Sequence, residues 1–427
     1  MRFRNACSER GSKLFKTTLE TQDIFHETSH CITIVLNVLL ACQNCLASEV
    51  QHHKVHAEPL SRIADDVVRQ TVFDLPATKT DAQPTRYNLW MYQNFMLLEG
   101  MDALGEVTGN EEYKRYASWN IDFFAAWQSE FGDTMAAGPQ RYSRPREMWH
   151  CGMIAAFAER QRIQPNLEFV KGMATFDALL EKAPAFKDGV LVRKKSGNRG
   201  LGLQIDDLYM ITPYWCRKAE LLKDPKWLDR AIEESLDYFD YLWDKDDKLM
   251  HCLWLEENKA PYGLYWGRGN GWYIMAVTDL LTFIPQDHPK RNEVLEDYRT
   301  FINGIIRRQG KRGLWHQILD RPDVYPEASC SGMFTYCILK GVNEGWLDSS
   351  FHEAGTKGWR GLLTLVNDEG EITRVCPGSD ISEDPNYYLK TKAPKSHDQH
   401  GIGPFLLANA AYLQANKTLK ALDKSAP

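Results

Sequence analysis

The stretch YNLWMYQNFMLLEGMDALGEVTGNEEYKRYASWNIDFFAAWQSEF, residues 87–131, decides the fold. Up to Gly109 its apolar residues recur at the spacing of an amphipathic helix, and the glycine marks the end of that helix. Two glutamates then follow Asn110, and acidic residues favour the first turn of a helix. The stretch therefore predicts two helices, residues 87–109 and 110–131, which form a helical hairpin.

The same pattern recurs along the rest of the chain. Further helices are predicted at residues 206–222, 223–243, 271–284, 288–310, 331–347 and 403–416. TGNEEYKRYASWNIDFF and LKDPKWLDRAIEESLDYF echo each other, since each places a turn before an aromatic residue and a helix that ends in aromatic residues. Equivalent hairpins are separated by multiples of about 60 residues, which is longer than the units of common solenoid proteins.

About six such hairpins fit the chain after its first ~60 residues. Because six helical hairpins can close into a ring, the sequence predicts an all-α protein, an (α/α)6 barrel of six helical hairpins, as a single domain over residues 60–420. An open superhelix is the alternative. Short β segments at residues 189–196 and 370–379 are predicted to lie on loops between helices.

Composition narrows the class of partner. A net charge of -6 offers none of the basic surface that nucleic-acid binding requires, so no nucleic-acid partner is expected. Thirteen tryptophans and eighteen tyrosines suit the stacking of sugar rings, although both residue types also fill protein cores.

The first 50 residues differ from the rest and predict a leader. CITIVLNVLLACQNCLASEV, residues 31–50, holds an apolar run too short for a stable membrane span and typical of the core of a signal peptide. Cleavage near Ala47 would give an exported protein, periplasmic or extracellular. LLAC, ending at Cys42, also resembles a lipoprotein signal, which would anchor the protein at that cysteine. An ordinary buried segment is the alternative.

Metal binding is not indicated. The cysteines after residue 50 are scattered, without a pair of CxxC motifs. In SHDQHGIGPFLLA, residues 396–408, His397 and His400 have a spacing that can ligate metal, but no HExxH motif or third ligand cluster accompanies them. We interpret this segment as a loop at the mouth of the barrel, and we predict no metal site.

The most unusual segment is YWGRGNGW, residues 265–272. Its third glycine is followed by Trp272 rather than by lysine, so a phosphate-binding loop is disfavoured. The three glycines predict a tight loop at a helix start, which would hold Trp266, Arg268 and Trp272 around one cavity. The planar guanidinium of arginine matches a carboxylate. A helix cap with Arg268 in a structural ion pair is the alternative.

Two adjacent acids start the helix in LQIDDLYMITPYW, residues 203–215. Neighbouring helical residues point about 100° apart, so at most one of Asp206 and Asp207 faces a cavity. An acid among aromatic residues would have its pKa raised toward the working range of a general acid. Capping of the helix is the alternative.

Two histidines lie beside tryptophan or cysteine. His150 belongs to MWHCGM, residues 148–153, and His251 belongs to MHCLWLEE, residues 250–257. Spacing alone favours histidines that are satisfied within the core over functional ones.

Taken together, QIDDLYM, YWGRGNGW, SCSGMFTYCILKGVNEGWL and HGIGPFLLA resemble, in this order, the unsaturated glucuronyl and rhamnogalacturonyl hydrolases of glycoside hydrolase family 105, with the related family 88 behind it. The resemblance covers residues 60–416 and implies an (α/α)6-barrel catalytic domain. It implies a hydrolase that removes a 4,5-unsaturated uronic acid from the non-reducing end of lyase-generated oligosaccharides. Hydration of the C4=C5 double bond, rather than direct cleavage, then releases the sugar.

The resemblance also implies roles for individual residues. Asp206 matches the catalytic acid/base, with Asp207 as a cap or support. The remaining positions are implied to bind substrate: Trp149, His150, His251, Trp266, Arg268, Trp272 and His400. Many relatives carry a second acid where this chain has Trp149 and His150, so either His150 replaces that acid or a different sugar is accommodated.

No metal or organic cofactor is required by this chemistry. The implied partner is an oligosaccharide that ends in an unsaturated uronic acid, of the rhamnogalacturonan or the ulvan type. Alternatives on the same barrel are a polysaccharide lyase, an inverting glycosidase or a sugar-binding protein without catalysis. The oligomeric state stays open.

Overall fold

Six inner helices form a ring in the computed structural model, which describes residues 61–78, 81, 87, 90–131, 148, 152–194, 200–378, 380–388 and 393–425. Within those ranges the helices are α1 (residues 61–70), α2 (Tyr92–Thr108), α3 (Glu111–Phe131), α4 (Ile154–Ile163), α5 (Leu167–Leu180), α6 (Asp207–Leu222), α7 (Lys226–Leu242), α8 (Gly267–Phe283), α9 (Arg291–Ile306), α10 (Ala328–Asn343), α11 (Phe351–Leu363) and α12 (Gln399–Ser425). The even-numbered helices line the ring, and the odd-numbered helices from α3 to α11 pack outside them.

Short strands occupy two connections between helices. They are β1 (Arg193–Lys194), β2 (Leu201–Gln204), β3 (Trp243–Asp244), β4 (Leu249–Met250), β5 (Leu253–Leu255) and β6 (Ala260–Tyr262). An antiparallel sheet has the order β1-β2-β5-β6, and β3 pairs separately with β4. This sheet joins the segment before α6 to the segment before α8, so it fixes the starts of two inner helices relative to each other.

Neighbouring inner helices run in the same direction. Between α2 and α12, Gly403 lies against Met96, and one turn further along Gly100 lies against Leu406. Three more inner pairs have the same order, through Tyr209–Trp272 and Arg217–Asp279, through Gly271–Met333 and Met275–Cys337, and through Gly332–Pro404 and Asn343–Ala411. The N-terminal ends of α2, α6, α8, α10 and α12 therefore gather at one end of the barrel, where the helix dipoles are positive.

A buried layer of charge crosses the barrel interior below that end. Arg217 donates to both carboxylate oxygens of Asp279 at 2.8 and 3.0 Å and to Glu99 at 2.9 Å. Its guanidinium also lies 5.3 Å from the ring centre of Phe95 and 5.2 Å from that of Phe283. Burial raises the pKa of Glu99 to about 7. We call Glu99, Arg217 and Asp279 the ion-pair layer.

The predicted all-α (α/α)6 fold is confirmed, and the first hairpin forms as predicted from α2 and α3. The hairpin count differs from the prediction in one respect. Five helix pairs follow one another from α2 to α11, whereas α12 closes the ring between α10 and α2. In addition, α1 lies against α3, where Tyr113 donates to Asp65. Both predicted β segments lie on connections between helices.

The described residues belong to one compact unit, Pro59–Pro427. No helix among them is long and apolar enough to cross a membrane. The predicted leader, residues 1–50 with Cys42 and Ala47, lies outside the described residues.

Close packing of α2 on α12 gives a prediction of stability. A Cβ added at Gly403 would lie 2.8 Å from the backbone of Met96 and Leu97. Gly403→Ala is therefore expected to lower the free energy of unfolding by about 2 kcal/mol, since overpacking costs about 1–3 kcal/mol. Urea denaturation measures the loss. Gly378→Ala, where φ is not positive and an added Cβ would meet nothing nearer than 3.9 Å, should cost less, and an equal cost would contradict the packing explanation.

Candidate active site

Asp206 lies at the junction between strand β2 and helix α6. The strand ends at Gln204, the helix begins at Asp207, and the Asp206 side chain is only 7% exposed. It occupies the N-cap position, but it accepts no capping hydrogen bond from the helix. Instead it accepts a hydrogen bond of 2.8 Å from the Gln204 amide. Burial raises the pKa of Asp206, against the opposing effects of that amide and of nearby cations. These features suit a proton donor.

Asp207 has a different environment from its neighbour. It is fully buried and forms a two-pronged ion pair with Arg193, whose Nε donates to Oδ2 at 2.7 Å. The pair ties the start of α6 to strand β1. The structure thus separates the two acids, one held by arginine and one held by an amide, in agreement with the supporting position predicted for Asp207.

Arg268 lies in the first turn of α8 and is almost fully buried. Its Nη1 donates to the carbonyl oxygen of Cys376, and its guanidinium stacks 4.8 Å from the ring centre of Trp266. Among the described residues Arg268 has no ion-pair partner within 4 Å, and its Nε makes no hydrogen bond. Its positive charge acts on both Asp206 and Tyr92. The alternative of a structural ion pair is therefore wrong for the described part of the chain.

The loop predicted for YWGRGNGW is wrong, because α8 already begins at Gly267. None of its three glycines has the positive φ that a tight turn would require. They are needed instead for close packing. A Cβ at Gly267 would lie 2.8 Å from Cys330 Sγ, and a Cβ at Gly271 would lie 2.3 Å from Met333 Sδ. The glycines thus bring α8 close to α10 and carry Arg268 into the barrel.

The two tryptophans of this segment support the site from within the core. Trp272 is 1% exposed and packs against Tyr92, with ring centres 5.3 Å apart, and against Tyr209, at 5.0 Å. Trp266 is buried beneath Arg268. The structure therefore places both rings as walls behind polar groups rather than as open stacking faces.

His251 follows strand β4 and points toward acidic and aromatic neighbours. Its Nε2 lies 3.2 Å from Asp244 Oδ2, and its ring centre lies 4.9 Å from that of Tyr265. Hydrogen bonds to Asp244 lower the pKa of that carboxyl to about 2, although partial burial opposes them. The contacts found for His251 in the described chain do not include Asp206 or Arg268, so its predicted contact with substrate stays a prediction.

His400 occupies the first turn of α12 and joins the site to a second carboxylate. Its Nδ1 lies 2.6 Å from Asp398, and its Nε2 lies 2.9 Å from the Tyr92 hydroxyl and 2.8 Å from the Gln93 amide. Burial lowers the pKa of His400, and Arg268 lowers it further. The interpretation of residues 396–408 as a loop is wrong for most of the segment, because α12 begins at Gln399 and includes His400; only residues 396–398 precede the helix.

Several residues at this end of the barrel had no signal in the sequence. Tyr92 is one aromatic among many in the pattern of α2, and Arg193 lies in a β segment predicted as a simple connection. The charges of Asp206, Arg268, Asp398 and Arg193 all act on the pKa of Tyr92, which indicates that these groups lie at the same end of the barrel. Only the ring closure, which brings distant helix starts together, reveals the set.

The structure gives little information on two predicted substrate-binding residues and on metal binding. Trp149 and His150 lie outside the described residues. Within the described ranges no group of three or more His, Cys, Asp or Glu side chains is arranged to hold a metal ion.

The fold and site together define a class: an (α/α)6 barrel with a buried acid, an arginine and aromatic walls at the end where its inner helices begin. Comparisons with known proteins narrow the class. Residues 63–416 match the family described as Glycosyl Hydrolase Family 88. The chain belongs to that family, and the predicted resemblance is confirmed.

Individual relatives agree with this assignment. An "Unsaturated 3S-rhamnoglycuronyl hydrolase" of Alteromonas sp. is 29% identical over 222 residues, 50% of this chain and 51% of that protein. A protein of the same name from Formosa agariphila is 29% identical over 261 residues, 58% of this chain and 67% of that protein. The chain thus matches about half to two thirds of these relatives' length.

A solved structure supports the fold. A possible member of the GH105 family from Salmonella enterica superposes with a TM-score of 0.71 at 21% identity, covering 84% of this chain and 93% of that one.

Proposed function

We propose that this protein is a hydrolase that removes a 4,5-unsaturated uronic acid from the non-reducing end of lyase-generated oligosaccharides. The observation that carries the proposal is the buried carboxyl of Asp206, which has a raised pKa and lies within range of the Arg268 charge. A carboxylic acid whose pKa is raised by burial is a better proton donor to an electron-rich alkene than an ordinary exposed carboxyl.

In the proposed reaction, Asp206 transfers the proton and Arg268 binds the substrate. Asp206 gives its proton to C4 of the unsaturated ring, and water adds at C5. The resulting hemiketal opens, and the glycosidic bond to the next sugar is lost. Arg268 binds the uronate carboxylate, because its guanidinium offers a planar fork of donors.

The substrate is proposed to be of the rhamnogalacturonan or ulvan type. The names of the Alteromonas and Formosa proteins support a rhamnose-linked uronate. A cavity of about 480 Å³ beside the Asp207–Arg193 pair supports an anionic group on the neighbouring sugar. Besides Arg193, which is paired with Asp207, the described residues that line it include Lys182 and Lys194 and no carboxylate. Such a wall favours a sulfate ester, which ulvan carries and rhamnogalacturonan lacks.

Lyase-generated oligosaccharides from pectin, ulvan and glycosaminoglycans form the test panel. We expect loss of the ultraviolet absorbance of the double bond, and mass spectrometry should find an addition of one water before cleavage. A rise in that absorbance on intact polysaccharide would indicate a lyase instead. Binding without turnover, unchanged in Asp206→Asn, would indicate a sugar-binding protein.

Arg268→Lys is expected to raise KM about tenfold or more with a smaller change in kcat. Lysine keeps the positive charge but loses the planar pair of donors, so binding of the carboxylate weakens in the ground state and transition state alike. Steady-state kinetics measures both constants. Arg291→Lys, a buried arginine that donates to the carbonyl oxygens of Leu281 and Ile284, is the matched control and should leave KM unchanged. A fall in kcat at constant KM would contradict the binding role.

We also propose that residues 1–50 direct export, with periplasmic or extracellular delivery or a lipid anchor at Cys42. Fractionation of cells that express the full chain tests this, together with N-terminal sequencing of the mature protein. A product in the cytoplasm that keeps residue 1 would contradict it.

A further inference from the structure

Three side chains form a hydrogen-bonded chain at the end of the barrel. Asp398 contacts His400 Nδ1 at 2.6 Å, and His400 Nε2 contacts the Tyr92 hydroxyl at 2.9 Å. The first two come from the start of α12, and Tyr92 comes from the start of α2. The parallel packing of these helices brings the three together across more than 300 residues of sequence.

The direction of the hydrogen bonds follows from the chemistry of the partners. A carboxylate can only accept, so His400 Nδ1 donates its proton to Asp398. The neutral imidazole then has a lone pair on Nε2, which accepts from the Tyr92 hydroxyl. The Gln93 amide lies 2.8 Å from the same nitrogen. The Tyr92 oxygen is thereby polarised, because its proton is drawn toward the imidazole.

Of the three hydrogen-bonded side chains, Tyr92 is the one that faces the proposed reaction site. Its side chain is half-buried, whereas His400 is buried behind it. The charges of Asp206 and Arg268 both act on its hydroxyl. The Trp272 ring packs edge-on against its ring and fixes its position.

We propose that Tyr92, backed by His400 and Asp398, is the general base that takes a proton from the water attacking C5. This inference rests on the proposed function and assigns the base to a group other than Asp206. As the water oxygen bonds to C5, its proton passes to the Tyr92 oxygen and the Tyr92 proton passes to His400 Nε2. On the other side of the reacting bond, Asp206 gives its proton to C4 and becomes a carboxylate.

The protons return when the hemiketal opens. The C5–O5 bond breaks, the imidazolium of His400 returns its proton through Tyr92 to O5, and Asp206 takes the proton of the C5 hydroxyl. Both residues then regain their starting states, and atoms and charges balance. Asp398 stabilises the intermediate imidazolium, which would otherwise be costly in a buried position beside Arg268.

A separate proton donor and proton acceptor can both act in one transition state. A single carboxyl group would have to donate its proton first and accept another one afterwards. The environments fit this division, since Asp206 is pushed toward its protonated form and His400 toward its neutral form. Asp398 also supplies a second carboxylate at this end of the barrel, where its Oδ1 lies 2.6 Å from His400 Nδ1.

Tyr92→Phe tests the assignment directly. We expect kcat on the best substrate of the panel to fall about 100-fold, which is the typical contribution of a general base, while KM changes less than about threefold. Tyr87→Phe is the matched control, because the Tyr87 hydroxyl contacts His397 at 2.7 Å and no acid of the proposed site. It should retain kcat. Circular dichroism and thermal unfolding confirm that both variants fold.

The pH profile separates proton transfer from mere positioning. The groups that act on His400 are Asp398, Arg268, Glu327 and Tyr92. Activity should fall at low pH as His400 is protonated, and Asp398→Asn should move this acidic limb to lower pH because a stabilising anion is lost. In Tyr92→Phe the acidic limb should flatten.

The outcomes are distinguishable from a failure of the proposed function. A wild-type protein that converts no member of the panel overturns the function and this inference together. An active wild type with Tyr92→Phe within threefold of its kcat, or with an unchanged acidic limb in Tyr92→Phe and Asp398→Asn, overturns this inference alone.

Discussion

Asp206→Asn is expected to lower kcat by about 1,000-fold, because loss of a general acid removes roughly 10²–10⁴-fold. The amide has the same size and can keep the hydrogen bond with Gln204, but it has no proton of suitable acidity to give to C4. Substrate binding through Arg268 should persist. Initial rates of absorbance loss measure kcat, and titration calorimetry on the variant measures the dissociation constant.

Asp102→Asn is a control for the effect of removing an acid whose pKa is raised. Burial raises the pKa of Asp102 as well, but this residue lies further along α2, beside the cavity near the ion-pair layer. It should leave kcat unchanged. An Asp206→Asn variant that keeps more than a tenth of the wild-type kcat would leave the proposed reaction without its acid.

Asp207→Asn is expected to have the second large effect, which is a loss in the free energy of unfolding. The change leaves the buried guanidinium of Arg193 without its charge partner, and breaking a buried pair typically costs about 3–5 kcal/mol. We expect a loss near 3 kcal/mol in the free energy of unfolding, since Arg193 keeps partial access to solvent. Urea denaturation measures it. The kcat of the folded fraction should change much less than in Asp206→Asn.

A double variant distinguishes the effect of losing the whole ion pair from the effect of leaving one unpaired charge. Asp207→Leu with Arg193→Met removes both charges, so no unpaired ion is left in the core, and its stability should exceed that of Asp207→Asn. Equal losses of kcat in Asp206→Asn and Asp207→Asn, at unchanged stability, would contradict the division of duties between the two acids.

The fold was predictable from the sequence because helical periodicity and hairpin length are local properties. The assignment of the acid role to Asp206 rather than Asp207 came from the resemblance and stays a prediction; helix geometry indicated only that at most one of the two faces a cavity. The structural role of the glycines in YWGRGNGW could not be predicted from the sequence, because glycine serves both tight turns and close helix packing. Only the neighbours Cys330 and Met333, which are distant in sequence, decide between the two.

The chain from Asp398 to Tyr92 was not predictable for a similar reason. Nothing in the pattern of α2 distinguishes Tyr92 from the aromatic residues around it, and its partner comes from the last helix of the barrel. Proximity between helix starts depends on ring closure and on parallel direction, which no local spacing encodes.

The ion-pair layer has a consequence for how a ligand can enter and leave the barrel. Arg217, Glu99 and Asp279 join three inner helices below the level of Tyr209 and Trp272. Because these side chains bond across the interior, we expect a ligand that enters at the N-terminal ends of the helices to stop at this level and to leave through the same opening. An opening of this kind would accept the end of an oligosaccharide rather than the middle of a long polymer, as the proposed removal of a terminal sugar requires.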